Sequence, residues 1–305
     1  MVASGRRRGR RRAPLASSGA GRESSAMRES AERWAREERF AAELARRAAE
    51  IVLRWYARGD DVGLEWKGRN DPVTAADKEA NARIVEALRE EFPGDAILAE
   101  ESGDDPARLG RPRLWLVDPL DGTREFVARN GEFVVMIALV EEGRPAAGAI
   151  LHPVSGTLIR ARRGGGAWAE DAGGTRRLRV SERRDLADFR LLVSRSHRSA
   201  KIDALRARLG LTRETPCGSV GLKMFRLATG EADLYVHLGG GTKEWDLAAP
   251  EILIREAGGM LTDADGAPIP YNRPDVRTPT AYAASNGTRH GEVLAALRAV
   301  LAEGT

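Results

Sequence analysis

The sequence predicts a mixed α+β and α/β fold in two lobes, and three observations carry that expectation. Phe40, Leu44, Ala48, Ile51, Val52 and Trp55 recur at three- and four-residue spacings, which lines up apolar side chains along one helix face. The middle of the chain strings short apolar runs between turn residues, as paired strands do. From about Leu186 onward strand-like and helix-like stretches alternate, the mark of an α/β layer. The expected organisation is a disordered arginine-rich tail over 1–30, an α+β lobe over 31–185 and an α/β lobe over 186–305.

The first helix is expected from about Ala31, with Gly59 as its stop. A second starts at Thr74, where Thr74 and Asp77 have the spacing of an N-terminal cap, and ends before Pro93. RLWLVDP reads as a short buried strand. EFVVMIALVEEGRPAAGAILHPVSGTLIRA reads as two or three strands turning at Glu142-Gly143 and Pro153–Gly156, with more strand-like pieces to about Val180. Then come the strand RLLVSRSH, the helix SVGLKMFRLATG, the strand ADLYVHL and the helix WDLAAPEILIREAGG. TAYAASNG leads into a terminal helix.

Charge is unevenly spread. Six arginines in RRRGRRR and Arg22 stand in a stretch without acids, so a formal charge of +4 for the chain leaves −3 for the body. The tail has the composition of a solvated extension, or of a segment that touches nucleic acid or acidic lipid. The apolar stretch after its arginines is too short for a secretory signal. No apolar run approaches the ~20 residues that cross a bilayer. One cysteine, Cys217, excludes an internal disulfide and fits a reducing, cytoplasmic setting.

Five acids stand in telling contexts. Glu100 and Glu101 follow the apolar run AIL, Asp118 and Asp121 flank Pro119-Leu120 at the end of WLV, and Asp246 follows Trp245 at a helix start. Taken singly, each has a plain reading: a solvated loop pair, a turn, a helix N-cap. Together they are expensive to bury without cations, and hard divalent ions such as Mg²⁺ take oxygen ligands and keep water for substrate. Asp118 can bridge two ions, Asp121 can reach one of them, and Pro119 can leave the Leu120 carbonyl free as a further ligand. A helix starting at Gly122-Thr123 would turn unpaired N–H groups toward a phosphate, with a hydroxyl beside the metals.

DPVTAAD (71–77), AEES (99–102), DPLDGT (118–123) and WDLAAPEILIREAGG (245–259) resemble, in order, the inositol monophosphatase-like superfamily of metal-dependent, lithium-sensitive phosphatases. The resemblance covers about 40 to 290 and implies a layered α-β-α-β-α sugar-phosphatase fold. DPLDGTREF followed by NGEF, with VSRSH and GSVGLK, is most similar to 3′(2′),5′-bisphosphate nucleotidases of the CysQ type. The resemblance implies two Mg²⁺ ions: Glu100, Asp118 and the Leu120 carbonyl on one, Asp118, Asp121 and Asp246 on the other, with a third, weaker ion sharing Glu100. It implies Asp77 and Thr123 as the dyad that activates water, Glu101 as acidic support, and Gly122 and Thr123 on phosphate. It implies Ser194, His197, Ser219 and Lys223 on a nucleotide, Lys223 neutralising phosphate charge. Two departures are Ala99, where the family often has Gly, and Ser219, where some relatives have Gly.

The expected activity is removal of the 3′-phosphate of 3′-phosphoadenosine 5′-phosphate, extending to its sulfated parent. The alternatives are an inositol monophosphatase or broad sugar phosphatase, and a nucleic-acid-binding protein acting through the tail. Other signals are weaker. RRGGGAW lacks the ending of a P-loop, and His152, His237 and His290 show no metal-ligand spacing.

Overall fold

The computed structural model describes residues 1, 32–59, 61–68, 71–195 and 199–303. The apolar spacing near the start becomes α1 (Ala35–Tyr56), with Leu44, Ala48, Ile51 and Val52 buried. A small hairpin follows, β1 (Glu65–Gly68) and β2 (Asp71–Val73). α2 (Ala75–Glu91) begins where the cap spacing places it, in a full capping box between Thr74 and Asp77.

β3 (Ala96–Ala99) runs parallel to β4 (Arg113–Asp121), and a short α3 (Thr123–Val127) follows β4. β5 (Val134–Glu141), β6 (Arg144–His152), β7 (Thr157–Arg162), β8 (Gly166–Asp171) and β9 (Gly174–Arg177) join antiparallel in chain order, completing a seven-stranded sheet.

The chain then builds a second sheet. Its elements are β10 (Arg190–Ser194), α4 (Ala200–Leu209), β11 (Arg213–Cys217), α5 (Val220–Ala228) and β12 (Leu234–Leu238). α6 (Glu244–Glu256), β13 (Met260–Asp263), β14 (Ala281–Ser285) and α7 (His290–Ala302) complete it. The strand order is β11-β10-β12-β14-β13, with β10 parallel to both its neighbours.

Period-two alternation distributes each central strand between two cores. Leu114 and Leu116 of β4, with Val134 and Met136 of β5, face the core that also holds Leu222 and Phe225 of α5 and Leu247 and Ile252 of α6. Trp115, Val117, Val135 and Ile137 face the core under α1 and α2. In the second sheet Leu192 and Tyr235 point inward to α5 and α6, while Leu191, Val193, Leu234 and Val236 point outward to α4 and α7. The layers are therefore α1/α2, first sheet, α5/α6, second sheet, α4/α7: the α-β-α-β-α arrangement.

The β1–β2 hairpin, α4, β11 and β13 had no counterpart in the sequence reading. The arginine-rich tail and His197 lie outside the described residues. No helix among the described residues is long and apolar enough to cross a membrane.

Candidate active site

Two aspartates three residues apart on a flat strand would face opposite sides of the sheet. Here they do not, because β4 carries a bulge between them: Asp118 pairs with Met136 and Asp121 with Val134, so three steps on β4 match two on β5. Met136 and Val134 share the inner face, and the bulge brings both carboxylates to that face. Pro119, which has no N–H to give a ladder, occupies the bulge.

Glu100 continues the parallel pairing of β3, its N–H bonded to the Val117 carbonyl at 3.0 Å, and so stands beside Asp118. Asp246 comes from the first turn of α6, at the third helical position rather than at the N-cap, with Oδ2 accepting the Lys243 N–H at 2.7 Å. Burial first, then the charges of Glu100, Asp121 and Asp246, raise Asp118 well above the ordinary carboxylate range. Burial, then Asp121 and Glu100, do the same to Asp246. Burial also raises Asp121, against hydrogen bonds from the Ser219 hydroxyl and the Gly221 N–H, both 2.5 Å long. Glu100 is pushed up to about 7, mainly by burial and against the pull of Lys67.

Among the described residues no three such side chains stand at ligating spacing around one point. Hydrogen bonds hold the Oδ2 atoms of Asp121 and Asp246 toward Ser219, Gly221 and Lys243. The donor set itself is all oxygen, largely withdrawn from solvent and mutually repelling, and this fits a hard divalent cation.

Across from this group, Thr123 Oγ1 lies 3.0 Å from Asp77 Oδ1 and 3.3 Å from the Leu120 carbonyl. The other oxygen of Asp77 accepts the Thr74 N–H at 2.8 Å and the Thr74 hydroxyl at 2.5 Å. Burial raises Asp77 to about 6 despite these bonds, and Glu101 adds to the rise. Lys67 of β1 reaches Glu101 at 2.5 Å and Glu100 at 3.2 Å. Gly122, at φ 99°, starts α3, and a Cβ there would stand 2.7 Å from the Glu132 carbonyl oxygen, so only glycine fits.

The expected nucleotide contacts divide. Ser194 ends β10 opposite Cys217 of β11. Ser219, in a left-handed backbone conformation at φ 28°, gives its hydroxyl to Asp121 and accepts the Leu222 N–H at 2.9 Å; it steadies an acid of the cluster. Lys223 departs from the expected phosphate contact. It is 3% exposed, and its ammonium donates inward to the carbonyls of Gly218 and Ser219. A buried cation at a helix start finds those carbonyls, and the field of Asp121, closer than any surface anion. Missed by the sequence reading were Lys67, and Glu132 with Arg195, which tie the loops beside Ser219 together.

A cavity of about 800 Å³ between α1 and α2 lies away from this chemistry, behind the first sheet. Along it Arg54 pairs with Glu79 and Arg83 with Glu86.

Comparison with known proteins accounts for the arrangement. A model of the inositol monophosphatase family matches residues 34–302. The chain is 38% identical over 232 residues to the 3′(2′),5′-bisphosphate nucleotidase CysQ of Escherichia coli (strain K12), covering 75% of this chain and 91% of that one. It is 34% identical over 235 residues to the Nus factor SuhB of Pasteurella multocida, covering 74% and 85%. The solved structure of CysQ from Bacteroides thetaiotaomicron, described as a bacterial member of the inositol monophosphatase family, matches with a TM-score of 0.70 at 32% identity, over 83% of this chain and 97% of that one. With a family match over nearly all the described residues and the same layered fold, the chain belongs to the inositol monophosphatase family.

Proposed function

We propose that this chain is a Mg²⁺-dependent phosphomonoesterase whose substrate is 3′-phosphoadenosine 5′-phosphate, converted to AMP and phosphate. The observation that carries the reaction type is the Thr123–Asp77 hydrogen bond set beside buried Asp118 and the half-buried Glu100, Asp121 and Asp246. The substrate follows from REF and NGEF after DPLDGT, together with relatives named as bisphosphate nucleotidases. The match to the inositol monophosphatase family supports a second reading, an inositol or sugar phosphatase with the same machinery.

Glu100, Asp118, Asp121, Asp246 and the Leu120 carbonyl would hold Mg²⁺, which when bound supplies Lewis acidity toward phosphate and lowers the pKa of water. The chain's own groups handle the proton. With its hydrogen directed at Asp77, the Thr123 hydroxyl keeps a lone pair for a proton of the attacking water. As that proton arrives, its own passes to Asp77 Oδ1. A carboxyl raised to about 6 is a better proton acceptor than an ordinary aspartate and is still ionised at neutral pH. Gly122 lets backbone N–H groups approach the phosphate oxygens.

The test is phosphate release with Mg²⁺ from 3′-phosphoadenosine 5′-phosphate and from inositol 1-phosphate at matched concentrations. Preference for the nucleotide is expected. Preference for the inositol ester would leave the machinery and overturn the substrate.

A further inference from the structure

Glu132 sits where three loops meet. It lies in the connection from α3 to β5, and its Oε2 accepts the Gly218 N–H at 2.6 Å and the Arg195 Nε–H at 3.0 Å. Its Oε1 accepts Arg195 Nη2 at 2.7 Å. Arg195 in turn reaches the Pro216 carbonyl at 3.3 Å and gives its backbone N–H to Cys217 at 3.3 Å. One carboxylate thus joins the first sheet to the carboxyl ends of β10 and β11, the edge of a parallel pair where ligands of α/β layers bind.

The same residue abuts the acids. Its carbonyl oxygen packs on Gly122, and Ser219, next to Gly218, grips Asp121. The pair with Arg195 is bidentate, which fixes direction as well as distance. Arg195 is 44% exposed and Glu132 12%, so screening leaves the pair little stabilising value. What it supplies is orientation. Burial raises the Glu132 carboxyl, but the donors of Arg195 and Gly218 outweigh that and hold it below its ordinary value, hence ionised.

We propose that Glu132 is a positioning residue: through Arg195 and the Gly218 N–H it sets the rim at the ends of β10 and β11 against the carboxylates of β4, and so fixes how the organic part of the ester is held. This rests on the phosphomonoesterase reading above but not on which ester is preferred. Glu132→Gln keeps an acceptor for Gly218 and breaks the match to Arg195. Arg195→Ala removes the other half at a position that is 44% exposed.

Steady-state kinetics on the ester the wild type turns over best, with inorganic phosphate as product inhibitor, separates rim from cradle. Both variants are expected to raise KM about tenfold, the scale of a small misplacement, while kcat stays within about threefold. Ki for phosphate stays within about twofold, because Gly122 and the acids are untouched. The double variant is no worse than Arg195→Ala, since both act through one link. Unchanged KM in Arg195→Ala, effects that add in the double variant, or a Ki rising in step with KM would each overturn the clamp. A wild type that hydrolyses no phosphate ester with Mg²⁺ overturns the reading beneath it; unchanged variants of an active wild type overturn the clamp alone.

Discussion

Asp77 and Asp246 each stand at the third position of a helix, and each accepts a hydrogen bond from the backbone N–H three residues earlier. Their chemistry differs because of what surrounds that shared bond. The N-cap of α2 is Thr74, whose hydroxyl adds a second bond to Asp77, and Thr123 binds the remaining oxygen. The residue before α6 is Lys243, whose side chain has no acceptor for the helix N–H groups. Only half of a capping box forms there, and Asp246 stands in the field of Asp121 and Glu100. Hydrogen bonds turn one acid into a tuned proton acceptor. Like charge, only partly offset by Lys243, suits the other to the cation-ligand role proposed above.

Neutralising each acid in turn tests that division. Asp246→Asn keeps an acceptor for the Lys243 N–H and removes the charge. Turnover should fall by at least about 10³-fold and Mg²⁺ binding, measured by calorimetry, should weaken severely. Without metal the variant should melt above the wild type, since a repelling charge is gone. Asp77→Asn should cost about 10² to 10⁴ in kcat while Mg²⁺ affinity stays near the wild-type value. Equal loss of metal binding in both variants would collapse the distinction between them.

A pH series sharpens it further. The carboxyls of Asp77, at about 6, and Glu100, at about 7, with Asp118 and Asp246 well above the usual range, hold protons more firmly in the folded chain than in the unfolded one. Between their ordinary values near 4 and their folded values of about 6 and 7, Asp77 and Glu100 bind more protons in the folded state than in the unfolded one, so raising pH through that window lowers their contribution to stability. Melting temperature in EDTA should fall across that window and Mg²⁺ should flatten the slope. Asp246→Asn should flatten it more than Asp77→Asn, because its acid is shifted further. A rising melting temperature in EDTA would contradict the buried-acid picture.

The sequence made the acids legible because each follows an apolar lead-in that betrays burial, and it made α1 and α2 legible through regular spacing. What it hid was direction and distance. That Asp118 and Asp121 share a face depends on a bulge that only pairing with β5 reveals. Lys223 reads as a phosphate ligand until the carbonyls of Gly218 and Ser219 are seen beneath it. Glu132 looks like one more charge in NGEF, because its partners lie 63 and 86 residues away. β11 escaped because RETPC is mostly polar and carries Pro216, residues suited to the sheet edge it occupies.

The smallest effect bears most directly on where the two acids part ways. If the N-cap residue makes the difference, Thr74→Ala should destabilise the protein by about 1 kcal/mol, and Lys243→Ser should stabilise the Mg²⁺-loaded protein by about 0.5–1 kcal/mol by completing the second box. The metal condition matters for the lysine. Lys243 also lowers Asp246 by its charge, so in EDTA its removal leaves the acids less balanced and the gain should shrink or reverse. Thr74→Ala should lose stability with or without Mg²⁺, because Thr74 touches no acid of the cluster except through Asp77. Chemical denaturation of both variants in both conditions reads the four values. A Lys243→Ser gain that is the same with and without Mg²⁺ would mean that the lysine charge never reaches Asp246, and that the cap alone separates the two helix starts.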